Sequence, residues 1–464
     1  MEDLSLAQIA KLAGGSISAD DTSLMVSRIS TDSRTLQEGD LFVPLRGDNF
    51  DGHKFVAQAA ERGAAGAMVE EEWKGSVPRS FALIRVVDTL TGYQTLAANY
   101  RASLRLKVIA ITGSNGKTST KDFVAATLAK KFRVTKTEGN FNNHVGLPQT
   151  MLAARRDDEI AVWEIGMNHP GEIAALARLA APDLGIITNI GIAHIEFMGS
   201  REAIAQEKGA LAEALTPAGT LILNGDDDFT DAIAKRTQAK VLLAGIEKGA
   251  VRATDISQHS SGSEFTILEG AHRCRAQLPV PGIHMVQNAM LAVAAGRAFG
   301  LSLEECAVGL ASTPLTKARL QIREMEGIQF IDDSYNANPD SMKAALRTLV
   351  ELDADGRRIA VLGEMGELGA ESERGHREVG EAAAELNIDE LIAVGATGAA
   401  IAHAAQKAGL DNSVAVEDAA EAAERLAKSA VPGDLILVKG SRSARMERVL
   451  EEFAKRHRPE EVAP

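Results

Sequence analysis

The chain has 464 residues, 45% hydrophobic and 25% charged, which excludes a disordered polymer and predicts a globular protein of about two to four domains. Its formal net charge of −14 excludes an extended polyanion-binding face, since nucleic-acid binders concentrate Lys and Arg on one side. No apolar run reaches the roughly 18–20 residues of a membrane span, and Met1-Glu2-Asp3-Leu4 lacks the regions of a signal peptide, so the expectation is a cytoplasmic protein without membrane insertion.

Residues 1–87 hold short apolar segments broken by Gly and Asp and show no βαβ series, which predicts a separate small unit. From about Lys107 onward, Val/Ile/Leu runs alternate with Ala/Glu/Leu-rich helical patterns, the rhythm of a parallel α/β sheet. Strands are predicted over 106–111, 160–165, 184–190 and 221–223, with helices from Lys117 and across 201–215. Residues 250–280, with a polar turn at 260–263, predict irregular or antiparallel strands. Helical texture returns at 286–299, and a second α/β series runs from Phe330, with strands near 358–362, 391–394 and 435–438. Residues 456–464 read as a frayed tail. Cys274 and Cys306 lie far apart without metal-ligand spacing and read as buried free thiols, with no structural zinc expected.

Gly113-Ser114-Asn115-Gly116-Lys117-Thr118 stands between a predicted strand and a predicted helix. Its glycines let the backbone turn its N–H groups inward around phosphate oxygens, and the helix that follows presents its positive end to the anion. Lys117 would reach the β and γ phosphates of ATP, and the Thr118 hydroxyl would meet Mg²⁺. The loop is a shortened form of the G-x-x-x-x-G-K-[ST] pattern, because Ile111 stands where the first glycine belongs.

The stretch from Ile111 to Lys121 resembles the Mur ligases, the ATP-dependent amide-forming enzymes of bacterial cell-wall precursor synthesis. Gly139-Asn140-Phe141-Asn142-Asn143, Glu164-Ile165-Gly166-Met167-Asn168 and Thr188-Asn189-Ile190-Gly191-Ile192-Ala193-His194 agree with it. Asp332-Asp333-Ser334-Tyr335-Asn336-Ala337-Asn338-Pro339, Leu362-Gly363-Glu364-Met365-Gly366-Glu367-Leu368-Gly369 and Lys439-Gly440-Ser441-Arg442 resemble the members that add D-alanyl-D-alanine to UDP-N-acetylmuramoyl-tripeptide. The resemblance implies three α/β domains: an N-terminal UDP-sugar-peptide-binding domain over 1–87, a central P-loop-type ATPase domain over 88–316 and a C-terminal Rossmann-like domain over 317–464 that binds the dipeptide. It implies ATP and Mg²⁺ and an acyl phosphate intermediate; nucleotide-binding candidates in both the second and third domains predict closure between them, and a monomer is expected.

The same resemblance assigns candidate residues, each with an ordinary structural alternative. Glu164, His194 and Lys208 become metal-site residues, with Lys208 carbamylated, although alone they read as a cap or ion pair, a packed histidine and a solvated helix lysine. Asn140, Asn142 and Asn143 would donate to phosphate or carboxylate oxygens, where Asn and Gly otherwise mark a turn. Asn288 belongs near adenine, beside His284. Arg319 would reach nucleotide phosphate on closure, Asp333 would accept the ribose hydroxyls, and Tyr335 or Asn336 would meet adenine; Asp-Asp-Ser followed by Asn-Pro otherwise reads as a loop with a helix cap. Thr31, Ser33, Arg34 and Arg46 resemble a uridine-nucleotide site. Asn338, Lys439, Ser441 and Arg442 are the candidates for D-alanyl-D-alanine, through its terminal carboxylate. Two rivals stand beside this reading: a folate polyglutamate ligase of the same superfamily, and a nucleotide switch that hydrolyses ATP to control a partner.

Overall fold

Long apolar runs buried on both faces can only be covered by helices on both sides, and the centre of the chain is built that way. The computed structural model describes residues 1–47, 49–314 and 316–456. Its central sheet has nine strands, in the order Val134–Lys136, Ile160–Glu164, Lys107–Thr112, Leu184–Ile187, Thr220–Asn224, Lys240–Gly245, Val251–His259, Gly262–Glu269 and His272–Leu278. The first seven run parallel and the last three form an antiparallel meander. Helices Lys117–Leu128 and Ile283–Ala298 pack together on one face, and Glu172–Ala180 with Arg201–Glu213 on the other. From Lys107–Thr112 the chain first builds toward one sheet edge and then, from Leu184, toward the other. The loop leaving that strand therefore lies at a topological switch point, where open α/β sheets bind ligands.

The last sheet has six strands, Gln321–Met325, Ile328–Asp333, Leu435–Lys439, Arg358–Gly363, Glu390–Val394 and Ser413–Val416, all parallel after the first hairpin. Phe330 and Phe453 meet in its core with ring centroids 5.0 Å apart.

The N-terminal region departs from the expectation. Its five-stranded sheet, in the order Ser16–Ser18, Ala82–Val86, Gly66–Glu70, Leu41–Phe42 and Ile29–Ser30, is parallel except at Ser16–Ser18. Leu41–Phe42, helix Val56–Glu61 and Gly66–Glu70 form a βαβ unit. Two-residue strands carry too little periodicity to be seen in sequence. Cys306 is buried as expected, but Cys274 is only partly so, because it lies on the outermost strand of the central sheet. Arg456 closes the helix Glu447–Arg456, and the rest of the expected tail, 457–464, lies outside the described residues. Among the described residues no helix is long and apolar enough to cross a membrane.

Helix Thr89–Ser103 joins the first sheet to the second. Asp88 caps it by accepting from Thr91 N at 2.7 Å, and Asn99 donates to Leu12 O while Arg101 donates to Ala181 O. The buried Tyr100 hydroxyl accepts from Glu2 N at 2.8 Å and donates to Ala154 O at 2.7 Å. Tyr100→Phe leaves both backbone groups short of a partner, so urea unfolding should show a loss of about 1–3 kcal/mol, with activity at 25 °C retained.

Candidate active site

The phosphate loop needs its glycines here. Gly113 has φ 148° and a Cβ there would lie 1.8 Å from Thr188 Oγ1; Gly116 has φ 77° and a Cβ would lie 2.6 Å from the Asn288 amide. The loop is held from the strand end next door: Ser114 N donates to Asn189 O, Asn115 N to Asn189 Oδ1, and Thr188 Oγ1 and Asn189 Nδ2 both donate to Asn115 O. Thr188 and Asn189 were visible in sequence only as part of a family motif. Their hydrogen bonds to a loop more than seventy residues earlier in the chain leave no local signal.

Lys117 Nζ donates to Gly113 O at 2.7 Å, folded over its own loop. Burial lowers its pKa, with Glu164 opposing and Arg319 adding to the shift. The parallel register sets Glu164 beside Ile111, which brings its carboxylate under the loop. There it is 3% exposed and accepts from Thr118 Oγ1 at 2.9 Å and Asn142 Nδ2 at 2.8 Å. Thr137 Oγ1 in turn accepts from Glu164 N. Asn143 spends its Oδ1 on Val145 N and Gly146 N, and Asn140 stands exposed at the rim.

His194 takes a left-handed φ of 62°, and its Nδ1 lies 2.5 Å from Glu367 Oε2. That contact, with Lys117 nearby, lowers the Glu367 pKa against the opposing effect of burial. Lys208, on helix Arg201–Glu213, is 1% exposed and does not line the cleft, and no carboxylate of the described residues pairs with it. Its neighbour Glu207 is spent on Gly171 N and Ile173 N. Burial first, then Lys117, pushes the Lys208 pKa well below the usual lysine range.

The third domain closes the cleft. Arg319 stacks its guanidinium 4.2 Å from the Tyr335 ring centroid, on a linker where Ala318 and Leu320 are both left-handed. Asp122, on the helix that follows the phosphate loop, accepts from Thr316 N and Oγ1 and anchors that linker. Asp333 Oδ2 lies 2.5 Å from Lys439 Nζ, which also donates to Asn336 O. Asn338 caps helix Pro339–Glu351 through Oδ1 and donates from Nδ2 to Asn115 Oδ1 at 2.7 Å. Asp340 accepts from Ile192 N.

These groups surround one cleft of about 1550 Å³. It brings together Ser114 to Thr118, Asn140, Asn142, Asn143, Glu164, His194, Asn288, Arg319, Asp333, Tyr335, Asn336, Asn338, Lys439, Ser441 and Arg442. The first-domain candidates do not line it. Arg34 is exposed and paired with Asp32 at 2.8 Å; Arg46 pairs with Glu70 and Asp51; Ser33 O accepts from Arg62; and Thr31 is half-buried. Of the four dipeptide candidates, Asn338 and Lys439 are already engaged inside the protein. Ser441 meets Ser443 at 2.9 Å, and Arg442 pairs with Glu447.

The donors suit magnesium. A hydroxyl and a carboxylate, Thr118 and Glu164, are hard oxygen ligands beside a phosphate loop, and no cluster of three or more His, Cys, Asp or Glu makes an all-protein cage among the described residues. Few protein ligands completed by substrate phosphates is how Mg²⁺ is usually held.

A phosphate loop at the switch point of one parallel sheet, facing the strand ends of a second α/β domain, defines an enzyme that spends a nucleoside triphosphate between two domains. Family models match in three consecutive pieces: the Mur ligase family catalytic domain over 25–98, the Mur ligase middle domain over 111–296 and the Mur ligase glutamate ligase domain over 318–442. The UDP-N-acetylmuramoyl-tripeptide–D-alanyl-D-alanine ligase of Bacillus subtilis is 41% identical across 92% of this chain and 93% of its own. A crystal structure of MurF from Acinetobacter baumannii superposes with a TM-score of 0.90 at 34% identity, over 98% of this chain and 99% of that one. MurF from Thermotoga maritima in complex with ADP gives 0.81 at 29% identity, over 92% and 97%. The chain belongs to the Mur ligase family and is an ATP-dependent amide-forming ligase.

His284, enclosed in the cleft wall, has its pKa pulled from 6.5 to about 4 by burial, with Asp333 opposing and Lys439 assisting. The unfolded chain then takes up a proton that the folded chain refuses. Stability contributed by neutral His284 should be complete above about pH 6.5 and fall as pH drops toward 4. Urea unfolding across that window should show a shallower acid loss in His284→Gln than in the parent.

Proposed function

We propose that this chain joins D-alanyl-D-alanine to the tripeptide carboxylate of UDP-N-acetylmuramoyl-tripeptide, giving the UDP-muramoyl pentapeptide, ADP and phosphate. The observation that carries it is the end-to-end similarity to ligases of that name, together with a cleft that sets a phosphate loop against the third domain. We divide the labour as 1–87 for the nucleotide-sugar peptide, 88–316 for ATP and 317–464 for the dipeptide.

Amide formation from a free carboxylate is uphill in water. The tripeptide carboxylate therefore attacks the γ-phosphorus of ATP, the bond to the β-phosphate oxygen breaks, and an acyl phosphate and ADP result. The free amine of the dipeptide then attacks the acyl carbon, a tetrahedral intermediate forms and loses a proton, and phosphate leaves. The loop N–H groups other than those of Ser114 and Asn115, which Asn189 takes, hold the β and γ phosphates together with Lys117 through both steps. Asn142 orients Glu164, and Asn288 braces Gly116. Arg319 approaches the phosphates from the third domain, while Asp333, Tyr335 and Asn336 face the nucleoside. Thr118, Glu164, His194 and a carbamylated Lys208 would hold Mg²⁺, which when bound neutralises phosphate charge. The unprotonated amine is the form of lysine that combines with carbon dioxide, and the carbamate formed, with one proton released, would place a carboxylate near Lys117. Thr31, Ser33, Arg34 and Arg46 stay the candidates for the uridine nucleotide, and Ser441 with Arg442 for the dipeptide carboxylate.

Coupled phosphate release separates this ligase from a nucleotide switch and from a folate polyglutamate ligase. Release should require the UDP-muramoyl tripeptide and D-alanyl-D-alanine together, with the pentapeptide mass as product; turnover with ATP alone would refute the assignment. Glu164→Gln should lower kcat by about 100-fold or more, as expected when a group at the phosphates loses its charge. For Lys208, intact mass should show an added carboxyl group; depleting carbon dioxide should slow the parent, bicarbonate should restore it, and Lys208→Ala should respond to neither.

A further inference from the structure

The turn Gly363-Glu364-Met365-Gly366-Glu367-Leu368-Gly369 follows the strand Arg358–Gly363, and no step of the reaction above employs it. Glu367 nevertheless reaches out of the third domain to within 2.5 Å of His194 Nδ1 in the central one. The backbones of the two loops also meet. Glu196 N donates to Glu367 O at 3.3 Å, and a Cβ on Gly369 would come within 2.9 Å of Glu196 Cγ. The turn is braced from behind by His376, which is fully buried: its Nε2 accepts from Met365 N at 2.9 Å, and its Nδ1 lies 2.7 Å from Ser372 O.

His194 Nδ1 is buried and lies off the hydrogen-bond axis of Glu367 Oε2, 2.5 Å away; with the ring turned to donate Nδ1–H to that carboxylate, the imidazole is fixed in one tautomer and one orientation, with the Nε2 lone pair left as its acceptor. We propose that Glu367 is a positioning residue for the ligase reaction: across the domain interface it holds His194 as the Nδ1–H tautomer, so that this histidine is set at the phosphate site only when the third domain is docked. The proposal rests on the reading of His194 as an active-site residue. It makes the signature turn of the third domain part of the central domain's chemistry, and it gives a reason for domain docking to precede phosphoryl transfer.

The test uses the full chain with ¹⁵N-labelled histidine, with the His194 signals assigned by their absence in His194→Ala, together with steady-state kinetics. In Glu367→Ala the His194 ring nitrogens should move from a single Nδ1–H tautomer to a mixture. Its kcat should fall about 10- to 100-fold, with the KM for ATP unchanged to within about threefold. Glu367→Gln, whose side-chain oxygen still accepts from Nδ1–H, should keep the single tautomer and recover most of kcat. Unchanged His194 nitrogens in Glu367→Ala, a kcat within about twofold of the parent, or a Gln variant as slow as the Ala variant would each overturn the proposal. A fully active His194→Ala would overturn the active-site reading of His194 instead, because the nitrogen spectrum of Glu367→Ala reports the contact itself.

Discussion

A loop that is to grip phosphate with its backbone must be held open by something other than the phosphate. In this chain that task falls to Thr188 and Asn189, whose side chains and backbone tie down Ser114 and Asn115 from the neighbouring strand end. Gly113 has no Cβ because the Thr188 hydroxyl occupies that space, and Gly116 has none because Asn288 does. The shape of the loop is thus set by the parallel sheet before any ligand arrives, which is what preorganisation requires.

The same sheet sets the charges. Register places Glu164 beside Ile111, and its two oxygens are shared between Thr118 and Asn142. Lys208 is buried and Lys117 half-buried, and the charge of Lys117 adds to burial in lowering the Lys208 pKa. Two cations in such a setting are unfavourable, and a neutral or carbamylated Lys208 relieves that conflict. Around this core the third domain adds contacts to loops rather than to strands: Asn338 to Asn115, Asp340 to Ile192 and Glu367 to His194. Loop contacts of this kind can be made and broken as domains move without disturbing either sheet.

The elements around the phosphate loop were legible because buried parallel strands are continuous apolar runs and their helices carry an independent period. The strand predicted over 106–111 is Lys107–Thr112, and the antiparallel expectation for 250–280 became a meander of three strands. The first domain was misread as lacking βαβ structure because Leu41–Phe42 and Ile29–Ser30 are too short to show a period. Cys274 was expected to be buried and is not, since edge position belongs to strand order rather than to composition.

The amino-acid sequence by itself determined the loop chemistry, the alternation of strand and helix, and the family. Each is written in adjacent residues or in periods of two and 3.6, and such information needs no partner from elsewhere in the chain. Only the tertiary structure decided which side chains the site has to spare. Asn338 and Lys439, expected at the dipeptide, are committed to Asn115 and Asp333. Thr188, Asn189, Asp340 and Glu367, given no role in sequence, hold the loops of the cleft in place. A hydrogen bond between residues far apart in sequence is made by crossover direction, register and domain docking, and none of these leaves a mark on the residues that it joins.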